Sequence, residues 1–387
     1  MSLRQFSKIT TTLLYARQIR THSTNVPSTS HFNVLGIETS CDDTAVAIVN
    51  SSRQILAESI RFQHNLHEPA GGIIPNVAMM SHQRNLPEVV CDALSKESLD
   101  IVKDIDVIAV TRGPGLPGCL AIGLSAAKTL AAVLRKPLIG EAHALTARLT
   151  HTELIPFPYL TLLISGGHTL ILVTHGVNKH TQLGTTLDDS IGDAYDKTAR
   201  LLKIPWLKGQ GGGPGAALEQ FALDGTSDNY RVPIPMRKDP RRKNEMNLSF
   251  SGLKTSIRDL IEREQLDLED EKVRKNLAAT FQQTAIRHLI DKLELAFDWC
   301  RVKEIRLNAL VISGGVASNK SIRASLEKLA NDQFELPLIC PPPRLCTDNG
   351  AMIAWAGVER FRVGLKDDYT IDHAPKWSIE SLSDGMG

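Results

Sequence analysis

The chain has 387 residues, enough for two domains or one large two-lobed unit. Hydrophobic residues make up 42% and charged residues 22%, ordinary for a globular protein, and a formal net charge of +1 excludes global basicity as a nucleic-acid signal. No apolar run approaches the roughly 20 residues of a membrane helix, and the six cysteines form no Cys-x-x-Cys pair, which argues against a disulfide framework or structural zinc.

Residues 1 to about 31 differ in kind from the rest. They hold Arg4, Lys8, Arg17 and Arg20, are dense in Ser and Thr, and contain no acid; the first acid is Glu38. An Arg- and Ser-rich, acid-poor leader has the composition of a mitochondrial transit peptide. The segment is set apart from the fold.

A first lobe, residues 32–150, opens with strands near 33–38, 44–49 and 54–61. Glu38, Asp42 and Asp43 sit on the turn between the first two. Helical spacing runs from His82 to Lys96, with Pro87 inside it as a break or kink. Asp106–Val110 reads as a strand, Thr111–Gly118 as a tight Gly/Pro loop, and Cys119–Leu134 as an Ala-rich helix. Leu138-Ile139 is a short strand, and Ala142–Thr150 starts a helix.

A second lobe, residues 151–343, begins with a hairpin: Tyr159–Ile164, the turn Ser165-Gly166-Gly167, and Thr169–Thr174. Adjacent glycines let a backbone come close to a ligand, and bare N–H groups can cradle an anion. Leu187–Leu202 reads as a capped helix with acids in its first turns. A glycine cluster, 209–215, precedes a helix over 216–221. Arg237-Lys-Asp-Pro-Arg-Arg-Lys243 is a basic loop. Helices follow at Ser251–Glu264 and Val273–Cys300, and strands at Ala309–Ile312 and Glu335–Cys340. The final segment, 344–387, holds a helix over Thr347–Phe361 that returns to the first lobe, then a loose tail beyond about Asp368.

The strand, small-residue turn pattern occurs three times, at 34–49, 159–174 and 310–319. That layout resembles the α/β, two-lobed actin, sugar-kinase and Hsp70 ATPase superfamily, with a duplicated mixed sheet flanked by helices. Seven ordered motifs narrow it: Gly36-Ile-Glu-Thr-Ser-Cys-Asp-Asp-Thr44, Arg112-Gly-Pro-Gly-Leu-Pro-Gly118, Ile164-Ser-Gly-Gly-His-Thr169, Asp196-Lys197, Phe250-Ser-Gly-Leu-Lys-Thr255, Ser313-Gly-Gly-Val-Ala-Ser-Asn319 and Cys346-Thr-Asp-Asn-Gly350. Together they resemble the TsaD family of tRNA N6-adenosine threonylcarbamoyltransferases, and the leader points to its mitochondrial branch.

The resemblance implies transfer of threonylcarbamoyl from threonylcarbamoyl-AMP, made by a separate synthase, to N6 of adenosine 37 in mitochondrial tRNAs reading A-starting codons. It implies action as a homodimer in the matrix, with no membrane. By the same resemblance Leu163, Ile164, Ser165, Gly166 and Gly167 lie along the nucleotide, and Asp196 holds the ribose. Gly215 and Glu219 match a Gly-x-x-x-Glu pair, with Gly213 a rival for the first position. Ser318, Asn319 and Thr347 contact the adenylate, and His143 and Asp348 bind one divalent metal ion per subunit. No residue is assigned as catalytic; His168 reads as a hydrogen-bonded turn histidine, with positioning and charge stabilisation carrying the rate. With tRNA as substrate, Arg237, Lys238, Arg241, Arg242 and Lys243 become phosphate contacts.

The sequence departs from the family at one place. The family carries His-x-x-x-His on a helix, where the position four before His143 is here Ile139, so about four residues of a Val-His-His-Met type are missing after Gly140. The expectation is weak metal binding, and a catalytically impaired nucleotide-binding member is the alternative reading. A metalloprotease reading lacks His-Glu-x-x-His and this pair as well.

Overall fold

The computed structural model describes residues 31–70, 72–141, 146–151, 154–205 and 213–376. The leader through residue 30, His143 and the glycines of 209–212 lie outside the described residues. The chain builds one five-stranded sheet twice. In the first lobe β1 (Asn33–Glu38), β2 (Thr44–Asn50) and β3 (Ile55–Arg61) form an antiparallel meander. It is followed by α1 (His64–His67) and α2 (Pro75–Lys96). Then β4 (Val107–Thr111), α3 (Pro117–Leu134) and β5 (Leu138–Glu141) add parallel strands on the other side of β1, and α4 (Thr146–Thr150) follows. The order is β3-β2-β1-β4-β5.

The second lobe repeats this. A meander of β6 (Tyr159–Ile164), β7 (Thr169–Gly176) and β8 (Lys179–Thr185) is followed by α5 (Ile191–Leu201), α6 (Pro214–Ala222), α7 (Ser251–Glu264) and the 32-residue α8 (Glu271–Val302). Strand β9 (Leu310–Ser313), α9 (Lys320–Phe334) and β10 (Leu338–Ile339) then complete the order β8-β7-β6-β9-β10. The same meander with two parallel strands beyond its first member, twice over, confirms the expected duplication.

The last helix, α10 (Gly350–Arg362), leaves the second lobe and packs on the first sheet. Strands β1, β2 and β4 are buried on both faces because helices cover both. On one side Trp355, Ile353 and Val358 of α10 meet Val34, Val49 and Val107; on the other, α2 and α3 supply Leu86, Val89, Leu124 and Ala127. Small residues set the closeness: a Cβ on Gly36 would stand 2.3 Å from the Ala354 nitrogen, and one on Gly350 2.3 Å from the Ala47 nitrogen. Helix α3 is long and apolar enough to cross a membrane by length and composition, but Cys119, Leu120, Leu124 and Ala127 are buried in this lobe.

Several boundaries differ from the sequence reading. Helix α2 starts at Pro75, a proline at the first helical position, and passes through Pro87 unbroken. The segment expected as a helix from Thr347 begins at Gly350, capped by Asn349, whose Oδ1 accepts from Met352 N at 2.9 Å. The strand expected over 335–340 shortens to two residues. The tail is docked, not loose, through residue 376. Asp367 N donates to Leu138 O at 2.8 Å and Ala374 N to Arg112 O at 2.8 Å, and Ile371 packs on the first-lobe core.

Candidate active site

The second-lobe half of the site is a cradle of backbone. Leu163 and Ile164 end β6, paired with Leu170 and Thr169, and the chain turns through the exposed Gly166 and Gly167. Ser165 Oγ accepts from Gly167 N at 3.3 Å and His168 N at 3.0 Å, which fixes the turn from inside. Helix α5 is pinned beneath it. Ser190 Oγ donates to Gly166 O at 2.5 Å, Ile191 N donates to Thr169 Oγ1 at 2.9 Å, and Gly192 N donates to Ser165 O at 3.2 Å. A Cβ on Gly192 would stand 2.6 Å from Ser165 O, so the helix approaches the turn as closely as backbone allows. A Cβ on Gly166 or Gly167 would meet nothing within 4 Å. Internal packing therefore demands no glycine at either position, and the bare surface suits the close approach of a ligand.

Asp196 lies one turn along α5 from Gly192 and accepts from Gly215 N at 2.7 Å with Oδ1, at the first turn of α6. Burial pushes its carboxyl up. A Cβ on Gly215 would stand 3.0 Å from that oxygen and one on Gly213 3.9 Å, so Gly215 is the glycine against Asp196 and Gly213 is the N-cap of α6. Four residues on, Glu219 Oε1 accepts from Lys320 N at 2.8 Å, at the start of α9. Burial raises its carboxyl as well. Asn319 caps α9, its Oδ1 accepting from Ile322 N at 2.9 Å and its Nδ2 donating to Gln282 at 3.1 Å. Ser318 Oγ donates to Gly315 O at 2.6 Å. The structure thus brings the Ser-Gly-Gly turn, Asp196, Gly215, Glu219 and the 318–320 helix start together. It also engages both polar groups of Asn319 inside the lobe.

The first-lobe half is the turn after β1. Buried Glu38 turns inward, Oε1 accepting from Ser40 N at 2.5 Å and Oε2 from the Thr111 hydroxyl. His82, fully buried on α2, backs the turn. Its Nε2 donates to Cys41 O at 3.1 Å, which leaves Nδ1 to accept from Thr44 Oγ1 at 2.8 Å. Asp42 and Cys41 meet Asp348, with one ligand atom of each within 4.8 Å of the others; Asp42, Asp43 and His64 form a second such group. The negative charge here is concentrated. Burial first, then Asp42 and Asp348, pushes Asp43 up to about 8, and burial with Asp348, Asp42 and Glu38 raises the Cys41 thiol. Two carboxylates and a thiol converging in this way fit a divalent cation. His143 lies outside the described residues. Ile139 is fully buried in β5, opposite Ala109, so the position four before His143 is on a core strand and offers no ligand.

One segment joins the two halves. Arg323, one turn into α9, donates to Pro341 O at 2.7 Å and to Cys346 Sγ at 3.1 Å. Two residues after Cys346, a span of at most about 7 Å, Asp348 reaches the Cys41-Asp42 turn. Exposed Thr347 lies between them. Neither Arg323 nor Cys41 was singled out from sequence for the site. Both act through contacts between segments far apart in the chain, which leave no local signal.

The basic loop is held on α8. Arg237 forms a two-bonded pair with Asp291 at 2.7 and 2.5 Å. The buried Lys292 Nζ donates to the carbonyls of Arg242 and Glu245 at 3.2 and 2.6 Å. Lys238, Arg241, Arg242 and Lys243 are left exposed on one fixed surface.

Two repeated five-stranded sheets joined by such a segment define a two-lobed α/β fold of the actin, sugar-kinase and Hsp70 type. HypF of T. kodakarensis shares the fold at a TM-score of 0.58 and 15% identity over 86% of this chain, which spans 48% of HypF. The family model for TsaD, tRNA N6-adenosine threonylcarbamoyltransferase, matches residues 54–355. The chain is 42% identical over 394 residues to the probable tRNA N6-adenosine threonylcarbamoyltransferase, mitochondrial, of Arabidopsis thaliana, covering 95% of this chain and 80% of that protein. It is also 42% identical to the tRNA N6-adenosine threonylcarbamoyltransferase of Zymomonas mobilis, covering 90% of this chain and 92% of that one. The chain belongs to the TsaD family of tRNA N6-adenosine threonylcarbamoyltransferases and is a transferase.

Proposed function

We propose that the chain moves the threonylcarbamoyl group of threonylcarbamoyl-AMP to N6 of adenosine 37 in mitochondrial tRNAs that read A-starting codons. The observation that carries this reading is the linkage from Glu219 and Lys320 through Arg323 and Cys346 to Asp348. It sets the backbone cradle and the acidic turn on either side of one short segment. The adenylate phosphate lies over the Gly166 and Gly167 amides. Asp196 Oδ2, which makes no hydrogen bond among the described residues, takes a ribose hydroxyl while Oδ1 stays on Gly215.

In the transfer, the N6 amine attacks the carbamoyl carbon, the carbon–oxygen bond to phosphate breaks, and the amine loses a proton. The donor is already activated, so orientation by the cradle and stabilisation of the departing phosphate's charge supply the rate. Asp348, with Asp42 and Cys41, would hold the divalent cation the family implies, and that ion when bound would offset negative charge on the departing AMP. Lys238, Arg241, Arg242 and Lys243 meet the phosphates of the anticodon stem. A separate synthase supplies the adenylate, the leader directs the chain to mitochondria, and the working unit is a homodimer. The test is expression in cells deleted for their own mitochondrial transferase, followed by nucleoside analysis of mitochondrial tRNA. Return of threonylcarbamoyladenosine supports the reading, and a protein that reaches the organelle without restoring it contradicts it.

A further inference from the structure

A cavity is lined by residues that the site described above does not use. It encloses about 480 Å³, within the roughly 300–1,000 Å³ range of ligand pockets, between the chain at 228–234 and helix α8. Tyr230, Arg231, Asp228, Gln283, Thr284 and Arg287 line it. Arg231 and Arg287 are exposed, and neither forms an ion pair among the described residues. Arg287 is one helical turn, about 6 Å, before Asp291, the residue that anchors Arg237 of the basic loop. The cavity therefore continues the cationic strip of Lys238, Arg241, Arg242 and Lys243 along the same helix.

The lining selects among anions. Two unpaired guanidiniums suit phosphates. Asp228 repels a bare phosphate but accepts from a ribose 2′-hydroxyl or an exocyclic amine. Tyr230 offers a ring for a base to stack on, and the Gln283 amide offers a donor and an acceptor for its edge. Phosphate, hydroxyl and base recognition in one pocket is the chemistry of a ribonucleotide within a strand. We propose that this cavity takes an unstacked nucleotide of the substrate tRNA, with its flanking phosphates on Arg231 and Arg287 and its base on Tyr230. The inference rests on the tRNA reading above and adds a docking site away from the reacting adenosine.

The test is binding of full-length mitochondrial tRNA to the purified chain at several salt concentrations, comparing wild type with Arg231→Ala/Arg287→Ala, Tyr230→Ala and Tyr230→Phe. The arginine variant should bind about tenfold more weakly at physiological salt, with a salt slope smaller by between one and two. Tyr230→Ala should lose roughly tenfold through lost stacking, and Tyr230→Phe, which keeps the ring, should stay within about twofold. AMP-analogue binding, measured alongside, should not move in any variant and serves as the check on folding. A wild-type chain that binds no tRNA overturns the tRNA reading and this site with it. Wild-type binding that neither the arginine variant nor Tyr230→Ala weakens overturns the cavity alone. Weakening by the arginine variant without any by Tyr230→Ala also overturns it, because surface phosphate contact would then suffice.

Discussion

Gly192→Ala tests the cradle where its geometry is tightest. The new Cβ would stand 2.6 Å from Ser165 O, 2.8 Å from Gly166 Cα and 2.9 Å from Gly166 N, against an ordinary contact of 3.4 Å or more. All three are backbone atoms, so no side-chain rotation relieves them, and α5 and the turn must part by about 0.8 Å. Three bonds cross that gap, from Ser190, Ile191 and Gly192, and each lengthens as it opens. Overpacking of this kind costs about 1–3 kcal/mol, and a displacement near 1 Å at a reacting centre costs on the order of 100-fold in rate. Helix α5 also carries Asp196, so the ribose and phosphate contacts proposed above would shift together. Gly167→Ala is the counterpart: its Cβ meets nothing within 4 Å, so stability should hold while adenylate binding falls. Thermal unfolding and calorimetric titration with a non-hydrolysable adenylate, on both variants, separate the effects. A folded Gly192→Ala protein with wild-type stability and affinity would refute the reasoning.

Three further outcomes follow from the same geometry. Asp196→Ala should weaken adenylate binding more than tRNA binding, and equal affinity of wild type and variant for AMP analogues would rule out the ribose role. Charge reversal at Arg241 and Arg242 should weaken tRNA binding and lower its salt slope by roughly one per lost contact; an unchanged slope would assign the loop to solvated surface. Burial first, then Lys292, pushes His288 down from 6.5 to about 4, and its Nε2 accepts from Ser249 N at 3.2 Å as a neutral ring. Its depressed value means that the unfolded chain takes up the proton first as pH falls, so stability is intact above 6.5 and is lost toward 4 at about 1.4 kcal/mol per pH unit. Denaturant unfolding of wild type and His288→Gln between pH 7 and 4.5 isolates this residue, and parallel stability curves would contradict it.

Much of the site was legible because its signals are local. The Ser-Gly-Gly hairpin follows from an apolar run broken by small residues, and the duplicated layout from the recurrence of that pattern. What was not legible depends on contacts between distant segments. Strand β8, with Lys179, Thr181 and Gln182 among its residues, lacks an apolar signature and is a strand because β7 pairs with it. The docking of 367–375 against Leu138 and Arg112, and the bridge from Arg323 to Cys346, join residues with no common motif. Thr347 and Asp348 were expected inside a helix; the Asn349 cap places them before it, and that frees Asp348 to meet the Cys41-Asp42 turn. The spacing defect expected before His143 falls partly outside the described residues, and Ile139 proves to be a fully buried strand residue.

The departure at 137–143 can be measured directly: the chain as written should hold metal more weakly, and transfer more slowly, than a version with Val-His-His-Met inserted after Gly140. Equal metal content and equal rate would show that the absent histidine does not matter. The central claim, adenylate-to-tRNA transfer, is tested most directly by incubating the purified chain with threonylcarbamoyl-AMP and mitochondrial tRNA and following the tRNA-bound label and the AMP released. The account predicts one AMP per threonylcarbamoyl group on tRNA, all of it on N6 of adenosine 37. Binding of both substrates with no modified adenosine, even in the inserted version, would contradict it.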